Sequence, residues 1–130
     1  MEKIIIVGPA SQLLAMKTAK EMKIKAIDCD FKKFPDGETY LRINVESDDE
    51  LKGKEVIIIQ STYANATGEQ SKQFFDLFNI IAADCRMNAG KIKVVVPYFA
   101  YGRQDKVFRP GECKFAKELC KMIENAGADE

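Results

Sequence analysis

The sequence predicts an α/β fold: a mainly parallel sheet flanked by helices, with one antiparallel or edge hairpin element. Three observations predict it. Ile4-Ile5-Ile6-Val7, Val56-Ile57-Ile58-Ile59 and Ile92 to Val96 are short runs rich in β-branched residues, the mark of strands buried on both faces. Between them lie stretches whose apolar residues recur every three to four positions, as on helices. One further segment sets Leu41, Ile43 and Val45 in strict alternation with Tyr40, Arg42 and Asn44, the pattern of a strand with one dry face.

Taken in order, Ile4 to Val7 is the first strand, broken by Gly8-Pro9. Ser11 is placed to cap a helix through about Met22, with Leu14, Ala15, Ala19 and Met22 turned inward. Ile24 to Asp28 reads as a second strand. Phe34-Pro35-Asp36-Gly37 is a turn signal, and the alternating strand follows it. Glu46 to Lys54 is polar and loop-like, and Val56 to Ile59 is another buried strand. A helix then runs from about Glu69 to Met87, with Phe74, Leu77, Phe78, Ile81 and Cys85 on its inner face and Asn88-Ala89-Gly90 as its stop. Ile92 to Val96 is a buried strand ended by Pro97. The last helix covers about Glu112 to Asn125, with Phe115, Leu119, Met122, Ile123 and Ala126 inward. The closing Ala126-Gly127-Ala128-Asp129-Glu130 reads as the lead-in to one more strand. No repeat, low-complexity tract or linker interrupts the chain, so residues 1–130 are expected to form a single domain.

Composition narrows the function classes. Lys plus Arg is 20 and Asp plus Glu is 20, for a net charge of zero. That balance argues against non-specific nucleic-acid binding and against a membrane-surface protein, since both depend on excess basic charge. There is no histidine, which removes imidazole acid–base catalysis, Ser–His and Cys–His pairs and every imidazole zinc site. Cys29, Cys85, Cys113 and Cys120 form no C-x-x-C pair and read as small packing residues, with Cys113 more exposed at a helix start. Nothing resembles a signal peptide or a membrane span, so a reduced, cytoplasmic protein with free thiols is expected.

In a parallel sheet, ligands lie beyond the carboxyl ends of the strands. That rule singles out Gly8–Ser11, Phe31–Glu38, Ser61–Gly68 and Tyr98–Gly111. The stretch from Tyr98 to Glu112 combines aromatics, Arg103, Gln104, Asp105, Lys106 and Arg109. Arginine offers a planar fork for phosphate and a flat face for a purine, but the segment also fits a solvated loop over its own aromatics. Phe34, Asp36 and Glu38 could stack on a base and accept from an exocyclic amine. They equally make a plain Asp-Gly turn. Ser61 to Gly68 fits an anion site, or a strand–helix connector with Thr67 as cap, and the connector is preferred. No G-x-G-x-x-G, P-loop or G-x-S-x-G motif is present.

Phe34-Pro35-Asp36-Gly37-Glu38-Thr39-Tyr40-Leu41-Arg42-Ile43, Val56 to Gln60 with Ser61-Thr62, Pro97-Tyr98-Phe99-Ala100-Tyr101-Gly102-Arg103-Gln104-Asp105 and Ala126-Gly127-Ala128-Asp129 occur in this order. Together they resemble the N-terminal half of ribose-phosphate pyrophosphokinases (phosphoribosyl pyrophosphate synthetases), over essentially the whole chain. The short Lys106–Glu112 loop is similar to that of archaeal members. The resemblance implies a phosphoribosyltransferase-like, Rossmann-like half and the transfer of diphosphate from ATP, with Mg²⁺, to ribose 5-phosphate. It implies that Phe34 stacks on adenine, that Asp36 and Glu38 read its edge, and that this segment reaches into a neighbouring copy's site. Arg103 and Gln104 would contact ATP in their own copy, Asp105 belongs to the same motif, and Lys106 and Arg109 would stand near the phosphates. No protein-held metal is implied within these residues.

The sequence also departs from the family. It ends before the strand that carries the family's ATP–metal histidine, and it lacks the ribose-phosphate loop and the mobile catalytic loop. Gly102 replaces the usual Ala, Cys113-Lys114-Phe115 opens the last helix atypically, and Lys52-Gly53 stands for Arg-Gly. The expectation is therefore an ATP-binding domain, not catalytic alone, that meets ribose 5-phosphate only with the missing half. The alternatives are a non-catalytic nucleotide-binding or oligomerisation module, and a designed or excised fragment. A receiver-type domain would carry an acidic pair where Gly8-Pro9-Ala10 stands.

Overall fold

The structure is a computed structural model that describes residues 1–130. In chain order it contains β1 (Lys3–Val7), α1 (Gln12–Met22), β2 (Lys25–Ile27), β3 (Cys29–Lys33), β4 (Thr39–Ile43), β5 (Glu55–Ile59), α2 (Gln70–Arg86), β6 (Lys91–Val95) and α3 (Phe115–Ala126). Strands β2-β1-β5-β6 form a parallel sheet in that order, and β3-β4 form a separate antiparallel ribbon. The predicted fold class and the antiparallel element are therefore present.

The two central strands explain the β-branched runs. Ile4 and Ile6 face one layer with Val56, Ile58, Leu77, Ile80 and Ile81, while Ile5 and Val7 face the other with Ile57, Ile59, Ala15 and Ala19. A strand with helices on both sides has no position for a polar residue. The alanines of α1 let it lie close over β1 and β2. Leu14 and Met22, expected inward, are instead 47% and 49% exposed and edge a groove over Ile57, Ile59 and Val95. β6 departs likewise from the expectation of full burial: Ile92 is buried but Val95 is exposed, because α1 does not reach that edge. Its outer side carries the chain end, where Asp129 N–H donates to Ile92 O (2.8 Å) and Val94 N–H to Glu130 O (2.7 Å).

After β2 the chain passes through Asp28 straight into β3 and leaves the sheet. The sequence reading ended the strand there and did not anticipate β3. Cys29 pairs with Ile43 and Phe31 with Leu41, and Cys29 and Ile43 root the ribbon in the core. α2 lies between sheet and ribbon and so buries two stripes. Phe74, Leu77 and Ile81 are buried as expected and Phe78 is half-buried, but Cys85 is exposed. The unforeseen stripe is polar: Gln73, Asp76 and Asp84 are all buried. α3 starts at Phe115, three residues later than expected, and buries none of its residues fully. Ile123 and Ala126 touch the core, whereas Phe115 and Met122 are 40% and 52% exposed. Of the cysteines only Cys29 is buried; Cys113 is exposed, as expected at a helix start, whereas Cys85 and Cys120 are exposed against the packing expectation. Burial, with Asp84 nearby, pushes the Cys29 thiol up to about 12.

Asp76 is paired with Lys72 at 2.6 Å, whereas neither oxygen of Asp84 has a partner. Burial pushes the Asp84 carboxyl from 3.8 up to about 8. The folded state thus binds this proton more tightly than the unfolded chain. Stability from Asp84 is fully present below 3.8 and is lost as pH rises to about 8. The expected slope is at most about 1.4 kcal/mol per pH unit. Urea unfolding of Asp84→Asn between pH 4 and 9 should show most of this slope removed; an unchanged slope would show that the carboxyl is not held neutral.

Candidate functional site

Three loops meet beyond the carboxyl ends of β1, β5 and β6 because each parallel strand delivers its loop to the same edge. The first is the Gly8–Ser11 turn. Gly8 N–H donates to Ile59 O at 2.9 Å, and a Cβ on Gly8 would overlap that carbonyl and the Gln60 side chain. Only glycine permits this approach.

Gln60 is fully buried directly after β5. Its Oε1 accepts from Ala10 N–H (2.9 Å), and its Nε2 donates to Gln73 O (3.3 Å). Gln73 in turn donates to Thr67 Oγ1 (2.8 Å), Asn65 Oδ1 (3.1 Å) and Gly68 O (3.2 Å). The connector 61–68 is thereby tied to α2, in keeping with the connector reading. Two predicted caps do other work. Ser11 Oγ accepts from Ser61 N–H at 2.7 Å instead of capping α1, and Thr67 joins Asn65 while Glu69 occupies the N-cap position of α2.

The third loop, 98–111, carries most of the predicted site residues. Tyr98 to Gln104 and Gln70 line an open cleft of about 710 Å³. Tyr101 has φ +67°, its hydroxyl meets Ser71 Oγ at 2.5 Å, and its ring stands 5.0 Å from Phe115 and 6.1 Å from Phe74. Gln104 is fixed on both sides, donating to Tyr101 O and accepting from Ala116 N–H. Arg103 and Gln104 line the cleft; Asp105, Lys106 and Arg109 do not. The nine ion pairs leave Arg103, Asp105, Lys106 and Arg109 unpaired. Glu112 instead shapes the loop, accepting from Phe108 N–H (2.9 Å) and Arg109 N–H (2.6 Å).

Phe34, Asp36 and Glu38 sit elsewhere, at the tip of the ribbon. Phe34 N–H donates to Glu38 O, Gly37 N–H to Phe34 O, and Asp36 Oδ1 accepts from Glu38 N–H at 3.0 Å. Gly37 has φ +96°, as the turn chemistry predicted. Phe34 is 39% exposed, edge-on to Tyr40, with Lys32 Nζ 5.1 Å from both rings. The cleft at the ribbon is bounded by Lys33, Gly37, Thr39, Ser71 and Lys72, so the two groups flank the first turn of α2 without sharing a cleft.

No three Asp, Glu, His or Cys residues gather to hold a metal. Asp105 is the loop carboxylate that no hydrogen bond engages, whereas Glu112 is committed to backbone amides. Such a donor set fits a magnesium ion that arrives on phosphate oxygens, not a caged one. Gln73 was not singled out by sequence reasoning, and Gln60, Tyr101 and Glu112 lie in segments that it selected without giving these residues a role. A buried glutamine at a strand end was the one signal that could have found Gln60.

An open parallel sheet with its polar loops at the carboxyl edge and an antiparallel ribbon beside it defines an α/β domain with a loop-built site. No helix is long and apolar enough to cross a membrane. Residues 3–127 match the family model of the N-terminal domain of ribose phosphate pyrophosphokinase, and the chain belongs to that family. The ribose-phosphate pyrophosphokinase of Methanosarcina acetivorans is 44% identical over 119 residues, covering 92% of this chain and 38% of the relative. That of Methanobrevibacter smithii is 42% identical over 127 residues, covering 98% and 40%. The crystal structure of phosphoribosylpyrophosphate synthetase from Mycobacterium smegmatis superposes with a TM-score of 0.85 at 26% identity, covering 99% of this chain and 41% of that one. The chain thus spans about two fifths of the length of these relatives.

Replacing Gln60 by Leu should orphan the buried Ala10 N–H and loosen Gln73. A loss of about 2–4 kcal/mol in urea unfolding is expected, and a loss below 1 would contradict this account of the loop edge.

Proposed function

We propose that this chain is the ATP-binding part of a ribose-phosphate pyrophosphokinase. The carrying observation is that the family-matched loop holds unpaired Arg103, Lys106 and Arg109 at the carboxyl edge, beside a cleft of about 710 Å³. Arg103 lays its guanidinium on one face of adenine and Gln104 adds a polar contact, while Lys106 and Arg109 attract the phosphates. Phe34 stacks on the other adenine face, and Asp36 and Glu38 accept from its amino edge. Because the ribbon tip and the loop share no cleft, Phe34 serves the site of a second copy. At least a dimer is therefore needed.

In the reaction, the 1-hydroxyl oxygen of ribose 5-phosphate bonds to the β-phosphorus and loses its proton. The bond from the β-phosphorus to the oxygen linking it to the α-phosphate breaks, and AMP departs. Asp105 is the loop carboxylate that would be available to a magnesium ion, which would supply charge neutralisation when bound. The rest of the chain's contribution is positioning and cationic stabilisation. The relatives' additional length is the source of the ribose-phosphate site, so this chain alone binds nucleotide without turning it over. The cytoplasm is the proposed compartment.

Calorimetric titration with Mg-ATP tests the reading. Phe34→Ala and Arg103→Ala should each weaken binding by about tenfold or more. An equal mixture of the two variants should recover about a quarter of the sites if each site draws on two copies. No recovery would place both groups in one copy. Steady AMP release from Mg-ATP and ribose 5-phosphate by this chain alone would refute the non-catalytic assignment.

A further inference from the structure

We infer that Thr62 is a positioning residue for the 98–105 loop: its hydroxyl clamps residues 98–100 and thereby sets where Arg103 and Gln104 stand. The inference rests on the reading of that loop as the nucleotide site. Its geometry begins where the sheet ends. The β5–β6 ladder runs in register to Ile59 opposite Val95, with Gln60 N–H donating to Val95 O at 3.1 Å. Continued parallel pairing would next take the N–H of residue 97. That residue is proline, which has none.

Thr62 takes over at this break. Its N–H donates to Tyr98 O at 3.0 Å, and its Oγ1 donates to the same carbonyl at 2.7 Å. The same Oγ1 accepts from Ala100 N–H at 2.7 Å. Thr62 is wholly buried and Ala100 is 5% exposed, so water does not replace these bonds. The hydroxyl is the sole partner of the Ala100 N–H. The clamp is itself anchored, because Ser11 Oγ holds the neighbouring Ser61 N–H. Directly beyond it the chain enters the left-handed turn at Tyr101, and Tyr101 O receives the Gln104 N–H. Arg103 and Gln104 therefore project from a segment fixed by Thr62 on one side and by Ser71 on the other. Valine has the shape of threonine but neither donates nor accepts, whereas serine keeps both bonds.

The test compares wild type, Thr62→Val, Thr62→Ser and a remote core control, Ile4→Val. Mg-ATP affinity and amide exchange at Ala100 and Gln104 are measured for each. Thr62→Val should bind about tenfold more weakly and exchange faster at both amides. Thr62→Ser and Ile4→Val should match wild type in both. If Thr62→Val does not fold, Thr62→Ala gives the same comparison without the branched side chain. Unchanged affinity and exchange in the hydroxyl-less variant overturn the inference. An equal loss in Ile4→Val also overturns it, since the effect would then be one of general stability. If wild type binds no Mg-ATP, the nucleotide reading fails by itself. Exchange then decides Thr62 alone: faster Gln104 exchange in Thr62→Val upholds the clamp, and unchanged exchange removes it.

Discussion

The close approach of Gly8 to the end of β5 is the constraint on which the loop edge depends. With a side chain at residue 8 the turn would be driven off Ile59 and Gln60. Because it is not, Ala10 N–H reaches the Gln60 carboxamide, which then has its amide free for Gln73. Gln73 spends its own amide on the 61–68 connector. Each of these groups is buried, and a buried polar group without a partner costs about 1–3 kcal/mol. The relay is therefore all-or-nothing: losing one member leaves several others unpaired.

The ribbon follows a different logic. It leaves the sheet at Asp28 and is held at its root by Cys29 and Ile43 in the core. Lys72 Nζ, already paired with Asp76, also lies 5.9 Å from the Phe31 ring. At the far end Phe34 stands edge-on to Tyr40 with Lys32 over its ring, both from the ribbon itself. A root held in the core with a half-exposed aromatic at the tip is compatible with the proposed role of Phe34 in the site of a second copy.

Most of the fold was legible because its signals are local. β-branched runs gave β1 and β5, alternation gave β4, and the Asp-Gly turn gave the ribbon tip. Misreadings arose where a partner far along the chain decided the outcome. Leu14 and Met22 have helical spacing, but which helix face is covered depends on how much of the sheet α1 spans. Gln73, Asp76 and Asp84 look like the solvated side of an amphipathic helix. Gln73 is buried against Gln60 and the 61–68 connector, and Asp76 and Asp84 lie toward Cys29 at the root of the ribbon, contacts that helical spacing alone does not reveal. Neither carboxylate oxygen of Asp84 has a hydrogen-bond partner in the protein, and burial drives its carboxyl toward the neutral form.

The site divides along the same line. Arg103, Gln104, Asp105, Lys106 and Arg109 are recognisable as a motif because they are consecutive or nearly so. Nothing in that motif determines where it stands. Its position comes from bonds spanning 30 to 50 residues: Ser71 to Tyr101, Thr62 to Tyr98 and Ala100, Ser11 to Ser61, Ala10 to Gln60. Every one of these is a small hydroxyl or carboxamide at the end of a strand or the start of a helix, types that by themselves suggest caps. Their use as ties between loops follows from the parallel sheet. Parallel strands bring all their carboxyl ends to one side, so backbone groups left unpaired at three strand ends lie within reach of one another. Arg103, Asp105, Lys106 and Arg109 can then remain exposed and free of ion pairs, because the order of the loop is supplied from beneath and not by these side chains.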